Sequence, residues 1–338
     1  MIEEDGLRGA TTNPTIFERA LSAGVYDREL KKLAAACTEE EIYKTLAVEA
    51  VQQIADVFLQ VFQETKGCDG FVSIEVSPLL AYDTAGTIRE ARELWRLVNR
   101  PNVMIKIPAT KEGISAIQSV ISEGINVNVT LIFSVTRYRE VMEAYIGGLE
   151  RRVDGGHPVD RVASVASFFV SRVDTAVDKL LVGAGSPRPG AETAPLQGKI
   201  AVANSKAAYA EFEKVFSGVR FGKLRSKGAQ AQRPLWASTG TKNPNYSDVI
   251  YVEALMGADT VNTIPPPTMT AFRDHGVSGS RIAKGMKAAL EDLEKLAHAG
   301  VELDQVTEDL EKAGVQLFAD SYNKIIELIR KKNSRGDS

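Results

Sequence analysis

A net charge of −3 over 338 residues gives no electrostatic case for a nucleic-acid or anionic-membrane partner. The hydrophobic share of 44% suits a full soluble core, no run of roughly 18 apolar residues predicts a membrane span, and the acidic start Met-Ile-Glu-Glu-Asp-Gly lacks the apolar stretch of a secretory signal. Two cysteines, Cys37 and Cys68, and three scattered histidines, His157, His275 and His298, argue against a metal centre or a histidine triad and for a reduced, cytoplasmic protein.

Short apolar runs predict strands over 7–12, 70–76, 103–107, 126–132, 162–168, 234–238 and 259–263. Helical periodicity fills the intervals. Residues 39–64 place Ile42, Leu46, Val48, Val51, Ile54, Val57 and Phe58 on one face, and 87–98 do the same with Ile88, Ala91, Leu94, Trp95 and Val98. Helices are also expected over 135–150, 199–216 and 281–298. A long one over 303–332 has an apolar stripe that includes Val315, Phe318, Tyr322, Ile325 and Ile329. The stretch 183–198, with Pro187, Pro189 and Pro195, reads as a loop inserted in a single domain covering 1–338. Repeated strand–helix alternation calls for an α/β fold with a parallel sheet, open or closed.

Strand side chains alternate between two faces. In 70–76, Val72, Ile74 and Val76 oppose Ser73 and Glu75. In 102–107, Val103, Ile105 and Ile107 oppose Met104 and Lys106, and in 126–132, Val127, Val129 and Leu131 oppose Asn126, Asn128 and Thr130. Parallel sheets normally hide both faces, so polar groups at the C-terminal ends of these strands mark a site. Lys106 stands out among them. A lysine inside an apolar strand either snorkels to water or is buried, where desolvation favours the neutral amine, a nucleophile toward carbonyls.

Thr12-Asn13-Pro14 reads equally well as a helix start or as part of this site. Ser167 precedes Arg172 at the end of the fifth strand. Ser238-Thr239-Gly240-Thr241-Lys242 follows the sixth, where barrels often bind phosphate through loop N–H groups and charge.

Taken together, Ala-Thr-Thr-Asn-Pro-Thr (10–15), Ser-Ile-Glu-Val (73–76) with Asp83, Ile-Lys-Ile-Pro-Ala-Thr (105–110), Gly-Ile-Asn-Val-Asn-Val-Thr-Leu-Ile-Phe-Ser (124–134), Ser-Phe-Phe-Val-Ser-Arg (167–172) and Trp-Ala-Ser-Thr-Gly-Thr-Lys-Asn (236–243) resemble the transaldolase family, in order and over nearly the whole chain. The likeness is to its longer bacterial members. It implies a (β/α)8 TIM barrel of the class I aldolase type. The implied reaction transfers a dihydroxyacetone unit between sugar phosphates through a lysine Schiff base, in the non-oxidative pentose phosphate pathway, without metal or cofactor. By resemblance Lys106 is the Schiff-base lysine, and Glu75 and Thr130 hold the catalytic water. Asn13, Asn128 and Ser167 contact substrate hydroxyls, and Arg172 and Ser238 bind phosphate. Many relatives carry an arginine where Gly240 stands, and Lys242 is expected to supply that cation. The implied partners are sugar phosphates, with no nucleic acid or membrane, and the chain is a monomer or homodimer.

The family's first strand carries an acid–base aspartate. Met1 aligns inside the connection that follows it, so that aspartate has no counterpart and the first of the eight strands is expected to be absent. Two explanations compete: a native chain longer at its N-terminus, or a natural truncation with an open seam. As written, the chain is expected to be less stable and impaired in C–C cleavage. Two other functions stay open. One is a fructose-6-phosphate-aldolase-like enzyme, against which Glu75 and Phe169 argue, since that group has glutamine and tyrosine there. The other is a non-catalytic sugar-phosphate-binding barrel.

Overall fold

The computed structural model describes residues 1–34, 36–182 and 194–334. Among these, seven strands alternate with helices, giving the α/β class expected for an aldolase barrel. The strands are β1 (Gly9–Thr11), β2 (Phe71–Glu75), β3 (Val103–Pro108), β4 (Val127–Ile132), β5 (Ser164–Phe169), β6 (Arg233–Ala237) and β7 (Val261–Asn262). The chain forms two compact units. The first gathers Met1–Asn128, Arg151–Ala163 and Gly314–Ser338, and the second Val129–Glu150 and Ser164–Ala313.

In the first unit β1, β2 and β3 run parallel in chain order, with Thr11 beside Ser73 and Glu75 beside Lys106. The helix Glu39–Glu64 is fixed at its start by a reciprocal capping box, in which Thr38 accepts from the Glu41 N–H and Glu41 accepts from the Thr38 N–H. Its buried face is Ile42, Leu46, Val51, Ala55, Phe58 and Val61, and it packs on β2. Each of these side chains other than Ala55 contributes about 1.5–3 kcal/mol on full burial. Val57, expected on that face, is 62% exposed; the stripe turns through Ala55 instead. By length and composition alone this helix could cross a membrane, but its apolar face is spent on β2, as in a core helix. Asp83 caps the helix Thr84–Val98 through the Gly86 N–H.

The second unit holds β5, β6 and β7, again parallel, with Phe169 beside Ala237 and Leu235 beside Val261. Phe168 meets Trp236 edge to face at 6.0 Å. The helix Met286–His298, shorter than the expected 281–298, packs on Ile200–Ser217. β7 is also shorter than expected. Asp259 takes a left-handed φ of 53° just before it, and Pro265, which has no N–H to donate, follows soon after. Of the loop expected over 183–198, residues 183–193 lie outside the described residues, and Ala194–Leu196 form a 3-10 turn. The C-terminal helix runs Leu303–Ser334. From Gly314 on it belongs to the first unit, where Phe318, Tyr322, Ile325 and Ile329 are buried.

Candidate active site

In the first unit the register of β2 and β3 brings Glu75 and Lys106 side by side. Lys106 Nζ lies 3.5 Å from Glu75 Oε2 and donates to the Thr12 carbonyl at 3.3 Å. The two side chains are 7% and 5% exposed, and the Phe318 ring centroid sits 5.5 Å from the nitrogen. The lysine therefore does not snorkel. Burial pushes the Glu75 carboxyl above its ordinary range even though Lys106 beside it pulls the other way. A carboxyl held above its ordinary range beside a primary amine sets a candidate general acid next to a candidate nucleophile. The sequence after Lys106 holds the strand end in place. Pro108 closes β3, and Thr110 caps the helix Lys111–Ser122 through the Gly113 N–H while donating to the Ala81 carbonyl. Gly113 is required there, because an added Cβ would fall 2.0 Å from the Pro108 oxygen.

Asn128 is fully buried and donates to Ser73 Oγ at 3.0 Å. Asn13 has a structural role: its side chain caps the helix Pro14–Ser22 by accepting from Ile16 N–H at 2.9 Å, leaving the amide NH2 for any substrate contact. The Thr12 carbonyl realises the site reading of Thr12-Asn13-Pro14, whereas two neighbours were not read from the sequence as site residues: Phe318, and Tyr322, whose ring meets Tyr43 edge to face at 5.3 Å. Phe318 and Tyr322 belong to the apolar stripe of the C-terminal helix. Nothing in the local pattern separates a residue over an active amine from an ordinary core residue.

In the second unit Thr130 is fully buried, and its hydroxyl has no partner among the described residues. The next residue, Leu131, takes a left-handed φ of 59°, a conformation that costs about 1–3 kcal/mol for a residue with a side chain. Ser167 is 2% exposed on β5. Arg172, in the first turn of the helix Ser171–Val182, has no hydrogen bond or ion pair among the described residues. It lies 5.7 Å from the Phe169 ring centroid, and burial lowers its pKa. A partly desolvated guanidinium at a helix N-terminus suits an anion. Ser238 also adopts a left-handed φ of 57°; its carbonyl accepts from Ser171 N–H at 3.1 Å, and its hydroxyl lies 3.1 Å from that of Ser171. Gly240 is closely packed, since a Cβ there would lie 3.1 Å from Pro265 Cγ and 3.3 Å from Thr268 Oγ1. An arginine at that position would require its neighbours to move.

Lys242 is exposed and lines a cavity of about 480 Å³ with Asp174, Asp178, Tyr246 and Tyr251; neither Arg172 nor Ser238 is on that wall. Asp174, 1% exposed, accepts from the Ala201 N–H at 2.7 Å and the Tyr251 hydroxyl at 2.8 Å. Burial nevertheless pushes its carboxyl from 3.8 up to about 6. Between those values the folded state holds more protons than the unfolded chain. The contribution of this group is therefore complete below the lower value and is lost as pH rises through the upper one. The loss amounts to about 3 kcal/mol. In Asp174→Asn, urea unfolding is expected to lose this fall in stability between about pH 4 and 6. An unchanged slope would assign the effect elsewhere.

Comparison with known proteins follows the same lines. A family model described as Transaldolase/Fructose-6-phosphate aldolase matches residues 1–329. A transaldolase of Mycolicibacterium smegmatis is 47% identical over 97% of this chain and 88% of its own length. Transaldolases of Saccharopolyspora erythraea and Mycobacterium tuberculosis are each 46% identical over 98% of this chain, covering 89% and 88% of their own lengths.

Proposed function

The chain belongs to the transaldolase/fructose-6-phosphate aldolase family and is a transferase of the transaldolase kind; from this premise we propose that Lys106 carries the dihydroxyacetone unit as a Schiff base. The donor is a ketose phosphate, sedoheptulose 7-phosphate or fructose 6-phosphate. The acceptor is glyceraldehyde 3-phosphate or erythrose 4-phosphate, which places the reaction in the non-oxidative pentose phosphate pathway. Lys106 Nζ adds to the C2 carbonyl, and Glu75 gives its proton to the departing hydroxyl as the iminium forms. The C3–C4 bond then breaks, its electrons passing to the iminium and the C4 hydroxyl proton to bound water, and the aldose phosphate leaves as an aldehyde. The retained carbanion adds to the acceptor aldehyde, and hydrolysis frees the amine. The observation that carries this reading is the buried amine 3.5 Å from a carboxyl whose pKa is raised by burial.

Asn13, Asn128 and Ser167 are assigned to substrate hydroxyls, Thr130 to the reacting water, and Arg172 and Ser238 to phosphate. Among the described residues the Thr130 hydroxyl has no hydrogen-bond partner and the Arg172 guanidinium no ion pair, which supports these roles. Lys242 is left out, because the cavity it lines with Asp174, Asp178 and Lys179 includes neither Arg172 nor Ser238. The match from residue 1 to 329 supports a single domain, and the sparse cysteine usage supports a cytoplasmic location.

Reductive trapping tests the proposal. Borohydride added in the presence of fructose 6-phosphate should fix the sugar on the peptide containing Lys106, as read by mass spectrometry. An unmodified Lys106, or an adduct on a different lysine, would refute it. Arg172→Leu is expected to raise KM for phosphorylated donors about 100-fold, from loss of about 2.7 kcal/mol of charge-assisted bonding, with trapping retained at saturating donor. A KM within twofold of the parent would remove Arg172 from the phosphate site.

A further inference from the structure

Glu75 faces two ways. Its Oε2 lies 3.5 Å from Lys106 Nζ, and the residue also lines a cavity of about 280 Å³. That cavity is lined by Tyr43, Lys44, Ser77, Glu90 and Tyr322 among others, all from the first unit. It is large enough for several waters, and its hydroxyls and carboxylates give each water the polar partners it needs. Glu90 is the deeper of its two remaining carboxyls. It accepts from the Ser77 N–H at 2.7 Å, two residues beyond Glu75, while Glu40 stands exposed. Tyr43 lies close enough to Glu75, Tyr322 and Glu90 to feel their charges, and Ile74, Leu79, Leu80 and Leu94 supply apolar parts of the same wall. Lys44 and Glu93, bonded to each other at 2.9 Å, are the other charges acting on Glu90. Burial raises the Glu90 carboxyl, as it does that of Glu75.

We propose that this cavity is a port through which the water and the proton of the lysine reaction exchange with solvent, and that Glu90 is the positioning residue that holds the proton for Glu75. The proposal rests on the Schiff-base assignment of Lys106. When the carbinolamine collapses, its C–O bond breaks and the oxygen leaves as water with the proton of Glu75. The nitrogen lone pair becomes the second C=N bond, and Glu75 is left as a carboxylate. It regains a proton from Glu90 along cavity water, and Glu90 recovers one from solvent past Lys44 and Glu40. Hydrolysis runs the same transfers in reverse, taking in one water. A port on this side serves the reaction without passing Phe318, whose ring covers the lysine amine.

The test uses the whole chain with fructose 6-phosphate and erythrose 4-phosphate in weak buffer. Glu90→Gln still accepts from the Ser77 N–H but cannot pass on a proton. Its kcat is expected to fall about 10-fold, below the range for a direct proton donor, with KM unchanged and the pH profile of kcat displaced. Formate, small enough to enter the cavity, should restore at least half of the loss. Ala47→Leu, which fills the cavity from the helix wall, should lower kcat similarly and resist formate. An unchanged kcat and pH profile in Glu90→Gln would overturn the proposal. So would a loss that formate leaves untouched while Ala47→Leu turns over like the parent. Borohydride trapping in the unaltered chain separates the two levels: no adduct on Lys106 sinks the underlying assignment, whereas a normal adduct with an indifferent Glu90→Gln sinks only the port.

Discussion

Lys106→Met is expected to lower kcat/KM by about 10⁴-fold or more and to abolish borohydride trapping. A loss of that size corresponds to about 5.5 kcal/mol of transition-state stabilisation. Without the amine there is no iminium, and without the iminium the electrons of the C3–C4 bond have no sink. Methionine is the informative replacement because it is close in length and suits the aromatic surface of Phe318. It also removes a buried amine while leaving in place the Glu75 carboxyl, which burial pushes upward. The melting temperature should therefore hold or rise, in keeping with the weak net worth of buried ion pairs. A variant that keeps activity within tenfold of the parent would exclude Lys106 as the reacting group. Stopped activity with an intact melting transition is the result that isolates the chemistry.

Glu75→Gln should lower kcat about 10²- to 10⁴-fold, the range for loss of a positioned proton donor. The amide preserves shape but has no proton to give the departing hydroxyl. Imine formation should become slow rather than absent, so trapping still occurs but takes longer to saturate. The rate profile should also lose the limb that belongs to the buried carboxyl, whose ionisation lies above the ordinary carboxylate range. Lys106 is left without its acidic neighbour, and removal of one partner from a buried pair costs about 3–5 kcal/mol when the other stays charged. A melting temperature below that of the parent at neutral pH would report that cost. Full turnover in Glu75→Gln would transfer the acid role to another group.

The parts of this site that alternate along strands were legible in the sequence. Ser73 and Glu75, Met104 and Lys106, and Asn128 and Thr130 could be placed by parity alone, and the register of β2 on β3 puts Glu75 beside Lys106. The helix Glu39–Glu64 coincides with the expected span because a capping box opens it and a regular apolar face runs its length. The short helices Pro14–Ser22 and Lys111–Ser122 were not assigned, since one or two apolar turns look like loop until a partner covers them. Asn13 shows why a motif residue can carry two meanings: the cap it provides and any contact it makes with sugar draw on different atoms of one amide. Phe318 and Tyr322 were read as core, and they are buried. Their approach to Lys106 and Tyr43 depends on contacts more than two hundred residues apart, which no local pattern encodes.

That separation has a temporal side. At a synthesis rate of about 5–20 residues per second, the ring that shields Lys106 leaves the ribosome roughly ten to forty seconds after the lysine itself. Through that interval the amine lacks its aromatic cover, open to whatever reducing sugars and aldehydes the cell contains. The burial that makes this amine a nucleophile is therefore completed only when synthesis of the chain is nearly over.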